Sequence, residues 1–218
     1  MARTITEIYK EYRIVPSLQL HMLRVAAVAY ILCDNLDEVV DKNNVVLACL
    51  LHDMGNIIKF KMDVMPEFFN PEGVEYWQRV KDEYIAKYGT DEHHATLDIV
   101  KELNLSHKIV EFINVISFLD GPKVVFDPDF NHKIMLYCDN RVSPFGVVSM
   151  EDRLLDFRKR YAHLDKISDQ DSSLRLAFES GLREIEKQIF QHCKINREDI
   201  TDEAVAPIIE ELKHFVIE

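Results

Sequence analysis

The sequence predicts an all-α protein. Apolar residues recur at helical spacing through almost the whole chain, and no segment shows a convincing strand pattern of alternating apolar and polar residues. Two segments, 18–32 and 45–51, are apolar at nearly every position. A helix without a polar face is surrounded by other helices, so we predict these two at the centre of the fold and the mixed-charge helices around them.

Capping residues such as Ser, Asn and Asp, and stop signals such as Gly and Pro, delimit the predicted helices. In chain order these helices are 16–35, 43–53, 74–88, 91–104, 106–120, 131–140, 149–162, 172–193 and 201–216. Asn43 and Asn44 are the predicted caps of the second helix, and Gly121-Pro122 is the predicted stop of the fifth. The segment VVFDPDF is short and interrupted by proline, which predicts a loop.

The chain is long enough for one substantial core. We predict one domain over residues 1–162 and a C-terminal helical extension over 163–218 that packs on the same domain. The segment 163–171 is the predicted boundary between them.

Net charge restricts the class of partner. The chain has 26 basic and 38 acidic residues and a formal net charge of −12. Binding to a nucleic-acid backbone draws mainly on clustered Lys and Arg, so this balance argues against a nucleic-acid polymer as partner.

Cysteine usage and hydropathy predict a cytoplasmic protein. The four cysteines are scattered, without a C-x-x-C pair, and cysteine used as a small buried hydrophobe fits a reducing compartment. The polar first residues are unlike a secretory signal. The apolar stretch 18–33 contains Gln19, His21 and Arg24 and falls short of a membrane span, so we expect no membrane contact.

The most informative segment is VVLACLLHDMGN, in which a seven-residue apolar run ends at His52-Asp53. Burying an imidazole or a carboxylate without a partner is costly, so this pair needs one. His21 lies in another apolar helix, and Asp139 ends a third apolar segment. Taken alone, each has a purely structural explanation as a hydrogen-bonded core histidine, a helix end or a turn. Taken together, the four form a candidate metal site.

Their order, H, then HD, then D, resembles the HD-domain family of metal-dependent phosphohydrolases. HDMGN is similar to the family's HD-x-G-[KN] turn, and DNRVSPFG resembles its D-x-x-V-x-x-x-G segment. The resemblance covers roughly residues 17–162. It implies an all-α HD-domain helical bundle around a buried divalent metal, with ligands from His21, His52, Asp53 and Asp139.

The resemblance also implies a reaction. Its simplest form is hydrolysis of a phosphomonoester of a small molecule, with a nucleotide as one candidate, by a metal-activated water. Two imidazoles and two carboxylates suit Mn, Fe, Co, Ni or Zn, with Mg as a further candidate, and the sequence does not choose among them. Asp53 is the candidate for both metal ligand and proton acceptor. The expected partner is a small phosphorylated substrate, and a homodimer stays open.

Two further histidines, His93 and His94, start a helix in the segment GTDEHHATLDIVKEL. In family members with two metals, a histidine here resembles a ligand of the second ion, and E-H-x-A-T aligns His93 with it. The usual companion is missing, and only Asp120 could replace it. We therefore prefer one metal, with His93 or His94 donating a proton to the leaving oxygen. The alternative is a pair of solvent-facing histidines.

Cations near the ligands are candidates for binding the phosphate of the substrate. Arg24 follows His21 by three positions and shares its helix face, and Lys59 follows the HD turn. Arg141 and Arg153 are further candidates. Ion pairing with surface acids is the alternative role for Arg24 and Lys59.

The loop 60–73 contains two prolines, two methionines and several aromatic residues, and it is either a lid over the metal or a packed connector. Two other functions stay open for the chain as a whole. One is a regulatory domain that binds a metal and a nucleotide with little turnover, and the other is a structural scaffold without a stoichiometric metal.

Overall fold

The structure, a computed structural model, describes the backbone of residues 2–116, 121–161 and 169–217, and the side chains of that part except at 121, 160, 161 and 169–172. The described chain is mainly helical, which confirms the predicted all-α class. The helices are α1 (Ile5–Glu11), α2 (Pro16–Asn35), α3 (Lys42–Leu51), α4 (Val74–Tyr88), α5 (Glu92–Glu102), α6 (His107–Asn114), α7 (Gly121–Val124), α8 (Phe130–Asp139), α9 (Met150–Tyr161), α10 (Asp169–Gln191) and α11 (Asp202–Leu212). Short 3-10 helices cover Asn56–Lys59, Pro66–Phe69 and Arg197–Asp199.

The helices α2 and α3 lie at the centre of the fold, as their lack of a polar face predicts. They pack along each other, α8 contacts both, and α11 covers another side of α2. The α2 side chains buried in this core are Leu18, Met22, Leu23, Val25, Ala26, Ala27, Val28, Ala29 and Leu32. Burial of apolar side chains on several faces of α2 explains why its sequence carries no continuous polar face.

In the part of the chain that the structure describes, α2 is the one helix that is long and apolar enough to span a membrane by length and composition. Of its most apolar 18-residue window, 56% is buried inside the protein.

The start of α3 differs from the prediction. Its cap is Asp41, whose Oδ1 accepts a hydrogen bond from the backbone N–H of Asn44 at 3.3 Å. Asn43 and Asn44 therefore lie inside the helix and do not cap it. A carboxylate two residues earlier competes for the same backbone donor, which is why the local sequence left the cap uncertain.

The end of α6 was also predicted wrongly. The helix stops at Asn114, where Val115 and Ile116 follow, and consecutive β-branched residues are poor helix formers. Gly121-Pro122, predicted as a stop, begins α7. Proline has no backbone N–H and a fixed φ, so it suits the first turn of a helix as well as the residues after one. Residues 117–120 lie outside the described residues.

Four two-residue strands in the described chain form two antiparallel pairs: β1 (Arg3–Thr4) with β4 (Val216–Ile217), and β2 (Val142–Ser143) with β3 (Gly146–Val147). The first pair joins the two ends of the chain. It takes residue 216 out of the predicted last helix, which ends at Leu212. Strands this short contain too few residues to show alternation, so the sequence did not predict them.

The C-terminal helices share the core with the rest of the chain. α10 packs on α7 and α8 through a buried stripe that includes Phe178, Leu182 and Ile185, and α11 packs on α2. The predicted domain boundary at 162–163 lies outside the described residues, so the division of the chain stays a prediction.

Candidate metal centre

The four predicted ligands converge on one place. His21 Nε2 lies 3.2 Å from Asp139 Oδ1 and 3.6 Å from Asp53 Oδ2. His52 Nε2 lies 3.3 Å from the same Asp139 oxygen and 3.6 Å from the same Asp53 oxygen. Each carboxylate thus faces both imidazoles, and the ring centroids of the two histidines are 5.4 Å apart.

Three helices deliver these side chains. His21 lies on α2, His52 is the C-cap of α3, and Asp139 is the last residue of α8. Because α2, α3 and α8 pack against one another, the ends of α3 and α8 meet the face of α2 that carries His21. Asp53 follows directly after α3, in a turn closed by a 3.0 Å hydrogen bond from the backbone N–H of Asn56 to the Asp53 carbonyl.

The orientation of His52 suits metal ligation through Nε2. Its Nδ1 lies 2.7 Å from the carbonyl oxygen of Cys49, and a carbonyl only accepts, so Nδ1 carries a hydrogen. A metal-ligating histidine usually donates its other ring N–H in this way, which fixes the tautomer and the ring orientation. The Nε2 atom is buried and makes no hydrogen bond. A buried polar atom without a partner is costly, and a cation is the partner that this arrangement fits.

The spacing of the donor atoms fits one ion. Ligand atoms about 2.1 Å from a single metal ion lie about 3.0 Å apart at right angles and about 3.4 Å apart in a tetrahedron. The nitrogen-to-oxygen distances of 3.2–3.6 Å between the imidazoles and the carboxylates match this separation. Atoms of His21, His52 and Asp53 all lie within 4.8 Å of one another. A mixed set of two imidazoles and two carboxylates suits a divalent first-row transition metal.

The charges of the cluster shift the pKa values of His52 and Asp139. Burial lowers the pKa of His52, but the carboxylates of Asp53 and Asp139 outweigh it and raise that pKa to about 9. Burial raises the pKa of Asp139, but the neighbouring imidazoles of His21 and His52 outweigh it and hold that pKa well below its usual range. Without a metal, the cluster therefore binds a proton in place of the cation.

Gly55 lets the HD turn dock closely on α5. A Cβ at Gly55 would lie 2.3 Å from the carbonyl oxygen of Glu92 and 2.8 Å from the Cβ of Ala95, so only glycine fits. The Gly55 N–H donates to Thr96 Oγ1 at 2.9 Å, and this hydroxyl donates to the Glu92 carbonyl at 3.0 Å. The glycine of the HD-x-G turn, Gly55, thus packs directly against Ala95 and Thr96 of the E-H-x-A-T segment.

The structure does not bring His93 and His94 into the ligand group. His93 Nε2 hydrogen-bonds Asn114 Oδ1 at 3.0 Å, and His94 Nε2 lies 3.5 Å from Asp98 Oδ2 with 64% of its side chain exposed. Both start α5, next to the contact that holds the HD turn. Their role as proton donors stays a prediction, and Asp120 lies outside the described residues.

The two predicted phosphate-binding cations both have acidic partners. Arg24 Nε lies 3.5 Å from Asp202 Oδ1, and Lys59 Nζ lies 3.7 Å from Glu92 Oε1. The Arg24 side chain is 18% exposed, whereas that of Lys59 is 50% exposed. Asp202 also accepts a hydrogen bond from the backbone N–H of Val147 at 3.1 Å. Arg24 is therefore the more buried of the two cations, and it lies on α2, the helix that carries His21.

Arg141 has a structural role, which makes the suggestion of phosphate binding wrong. Its side chain is 4% exposed, and its guanidinium donates to the Tyr137 hydroxyl and to three backbone carbonyls. The acceptors are the carbonyls of Val148, Arg197 and Ile200 and the hydroxyl of Tyr137. These contacts tie the chain after Asp139 to the segment between α10 and α11, which helps to hold the fourth candidate ligand in place.

In the loop 60–73, Met62 and Phe69 are buried, whereas most of the other residues are exposed. Phe69 is buried, and its carbonyl accepts a hydrogen bond from Trp77 Nε1 at 3.1 Å. Met65, by contrast, lines a pocket beside the β2–β3 hairpin. Phe69 thus packs as a connector residue, and the role of the loop as a lid over the metal stays a prediction.

The fold and the converging ligands agree with the comparison to known families. The family model of the HD domain matches residues 19–117, a range that contains His21, His52 and Asp53. No curated protein and no solved structure gave a significant match. The matched segment, the all-α fold and the ligand geometry support membership in the HD-domain superfamily, whose members are generally metal-dependent hydrolases.

Sequence reasoning missed two residues that shape this site. Asp202 follows the Thr201 cap in the first turn of α11, where an acidic residue is common. Nothing near it in the sequence indicates its contact with Arg24. Asn114, the partner of His93, lies on an amphipathic helix without a distinguishing motif. Both contacts join distant parts of the chain, and only the fold defines them.

Proposed function

We propose that the protein is a metal-dependent phosphohydrolase that hydrolyses a phosphomonoester of a small molecule. One observation carries the proposal: the buried Nε2 of His52 makes no hydrogen bond, although two carboxylates and a second imidazole surround it. A divalent cation would satisfy all of these groups at once. A nucleotide is one candidate substrate.

The side chains divide the work of hydrolysis. His21, His52 and Asp139 would hold the ion together with Asp53. A divalent metal supplies Lewis-acid chemistry, because it lowers the pKa of water and offsets negative charge on a phosphate. The Asp53 side chain is 21% exposed, against 1% for that of His52, so a water molecule can reach its carboxylate. Asp53 would accept the proton that the attacking water loses.

In the proposed reaction one bond to phosphorus forms and another breaks. The water oxygen forms a bond to phosphorus, the ester P–O bond breaks, and the products are inorganic phosphate and an alcohol. The departing oxygen takes a proton, for which His93 and His94 are the proposed donors. Arg24, oriented by Asp202, and Lys59 would contact the non-bridging oxygens of the phosphate.

One observation favours a second candidate, a regulatory domain that binds a metal and a nucleotide with little turnover. Both proposed proton donors already have partners, Asn114 for His93 and Asp98 for His94. A domain that retains its ligands but lacks a free proton donor would bind without rapid hydrolysis.

The test is an assay of phosphate release. Metal-free protein is loaded with one divalent metal at a time and incubated with a panel of phosphomonoesters that includes nucleoside monophosphates. We expect metal-dependent turnover that Asp53→Asn abolishes and that Asp63→Asn, an exposed acid in the loop, leaves unchanged. Bound metal without turnover of any ester would contradict the proposal and favour the regulatory candidate.

A second variant tests the proton donors. Replacing His93 and His94 together by Gln should lower turnover at least a hundredfold while metal content stays the same, because general acid catalysis contributes about 10² or more. Unchanged turnover would remove that role from both residues.

A further inference from the structure

A pocket of about 180 Å³ lies between the loop 60–73, the β2–β3 hairpin and the first turns of α9. An engineered cavity of about 150 Å³ in another protein binds benzene, so this space suits a group of several heavy atoms. No residue of the pocket is among the four ligands of the candidate metal centre.

Only a short stretch of chain joins one wall of the pocket to that centre. Ser143, on its wall, follows Asp139 by four residues, so their Cα atoms are at most about 14 Å apart. The hairpin and the 3-10 helix Pro66–Phe69 both pack on α2, the helix that carries His21 and Arg24. Val147 on the hairpin also donates to Asp202, the partner of Arg24. A substrate with its phosphate at the metal centre can therefore extend toward this pocket.

One wall of the pocket is apolar and partly open to solvent. It is formed by Met65, Pro144, Phe145 and Val148. Phe145 is 70% exposed, although its ring contacts that of Phe68 at a centroid distance of 5.8 Å. An aromatic ring held in place with an open face can cover an apolar group or a cation of a ligand.

The other wall carries net negative charge. Its charged residues are Asp152, Arg153 and Asp156. Arg153 NH1 donates to Asp156 Oδ2 at 3.2 Å, which offsets one negative charge with the one positive charge. Asp152 instead accepts a hydrogen bond from the neutral hydroxyl of Ser149 at 2.6 Å, so its charge remains. A cationic group is attracted to this wall, and an anionic group such as a second phosphate is repelled.

From this pocket we infer that the leaving group of the substrate is an apolar group that carries a cationic amine, as in a phosphomonoester of an amino alcohol. The inference rests on the proposed phosphohydrolase function and adds the substrate class to it. The phosphate binds at the metal centre, the carbon chain lies against Phe145 and Val148, and the amine faces Asp152.

The test compares three esters on the metal-loaded full chain: choline phosphate, its uncharged carbon isostere of the same size, 3,3-dimethylbutyl phosphate, and the smaller, anionic phosphoglycolate. The measured quantity is kcat/KM from released phosphate. We expect choline phosphate to exceed the uncharged ester at least tenfold, and phosphoglycolate to be the poorest of the three. Asp152→Asn should reduce the preference for the cation about fivefold, since two charges about 4 Å apart in water interact by a factor of this size.

Glu151→Gln is the matched control, because Glu151 is the preceding residue on α9 and pairs with Arg183 outside the pocket. It should leave the preference unchanged. If esters are hydrolysed without preference for the cation, or if Asp152→Asn and Glu151→Gln behave alike, the inference is wrong and the proposed function stands. If no ester is hydrolysed with any metal, the proposed function fails and the inference fails with it.

Discussion

The guanidinium of Arg24 lies against the carboxylate of Asp202, with Nε and Oδ1 3.5 Å apart, although the two residues are near opposite ends of the chain. Arg24 lies one helical turn after His21, and Asp202 begins α11. Through this contact the C-terminal helix helps to set the direction of the cation that follows His21 on α2.

Asp202→Ala should therefore weaken substrate binding without removing the metal. Since Arg24 loses the partner that orients it, we expect KM for a phosphomonoester to rise about three- to tenfold, with metal content unchanged. Glu203→Ala is the control, because it removes an acid from the same first turn without touching Arg24. Equal KM values for the two variants would contradict the role of Asp202.

Gly55→Ala should destabilise the fold. The added Cβ would meet the Glu92 carbonyl oxygen at 2.3 Å, and this backbone atom moves only if α5 shifts away from the HD turn. Overpacking of this kind costs about 1–3 kcal/mol. Denaturant unfolding should show the loss, whereas Thr90→Ala, at an exposed position just before α5, should change stability by less than about 0.5 kcal/mol. A Gly55→Ala variant as stable as the parent would disprove the close approach.

Arg141→Met should be among the most destabilising substitutions in the chain. It would leave the Tyr137 hydroxyl and three backbone carbonyls, among them the buried one of Ile200, without this donor, and it would remove a charge that lies 3.7 Å from the buried Glu186. Breaking a buried charged network costs about 3–5 kcal/mol. Arg3→Met, which removes an exposed ion pair with Glu11, should cost less than about 1 kcal/mol. Similar losses of unfolding free energy for both variants would contradict the structural role of Arg141.

Metal binding should release a proton at neutral pH. The pKa of His52 is raised to about 9, so in the absence of metal its Nε2 is protonated at pH 7, and a metal ion must displace that proton. Metal affinity should therefore increase about tenfold per pH unit between pH 7 and 8 and level off near pH 9. Titration calorimetry in two buffers with different ionisation enthalpies measures the released proton. Affinity that does not change with pH in this range would count against His52 as a ligand.

Much of the inner fold could be predicted from the sequence because its signals are local. The central position of α2 and α3 follows from helices without a polar face, and the structure brings the four predicted ligands together. The four cysteines are free.

What could not be predicted depends on contacts between distant residues. The β1–β4 pair forms only when the chain ends meet, and the Arg24–Asp202 contact forms only when α11 packs on α2. The alternative roles of Arg141 also needed the fold, since a lone arginine after a ligand reads equally well as a phosphate-binding residue. Its burial among carbonyls of the C-terminal segment decides between the two.

The metal content of the purified protein tests the central claim most directly. Wild-type protein, Asp53→Ala and the control Asp63→Ala would each be loaded with Mn, Fe, Co, Ni, Zn or Mg, freed of excess ion and measured by plasma mass spectrometry. The metal centre predicts close to one ion per chain in the wild type and in Asp63→Ala, and loss of that ion in Asp53→Ala. No stoichiometric metal under any loading condition would contradict the account and leave His21, His52, Asp53 and Asp139 as a structural cluster.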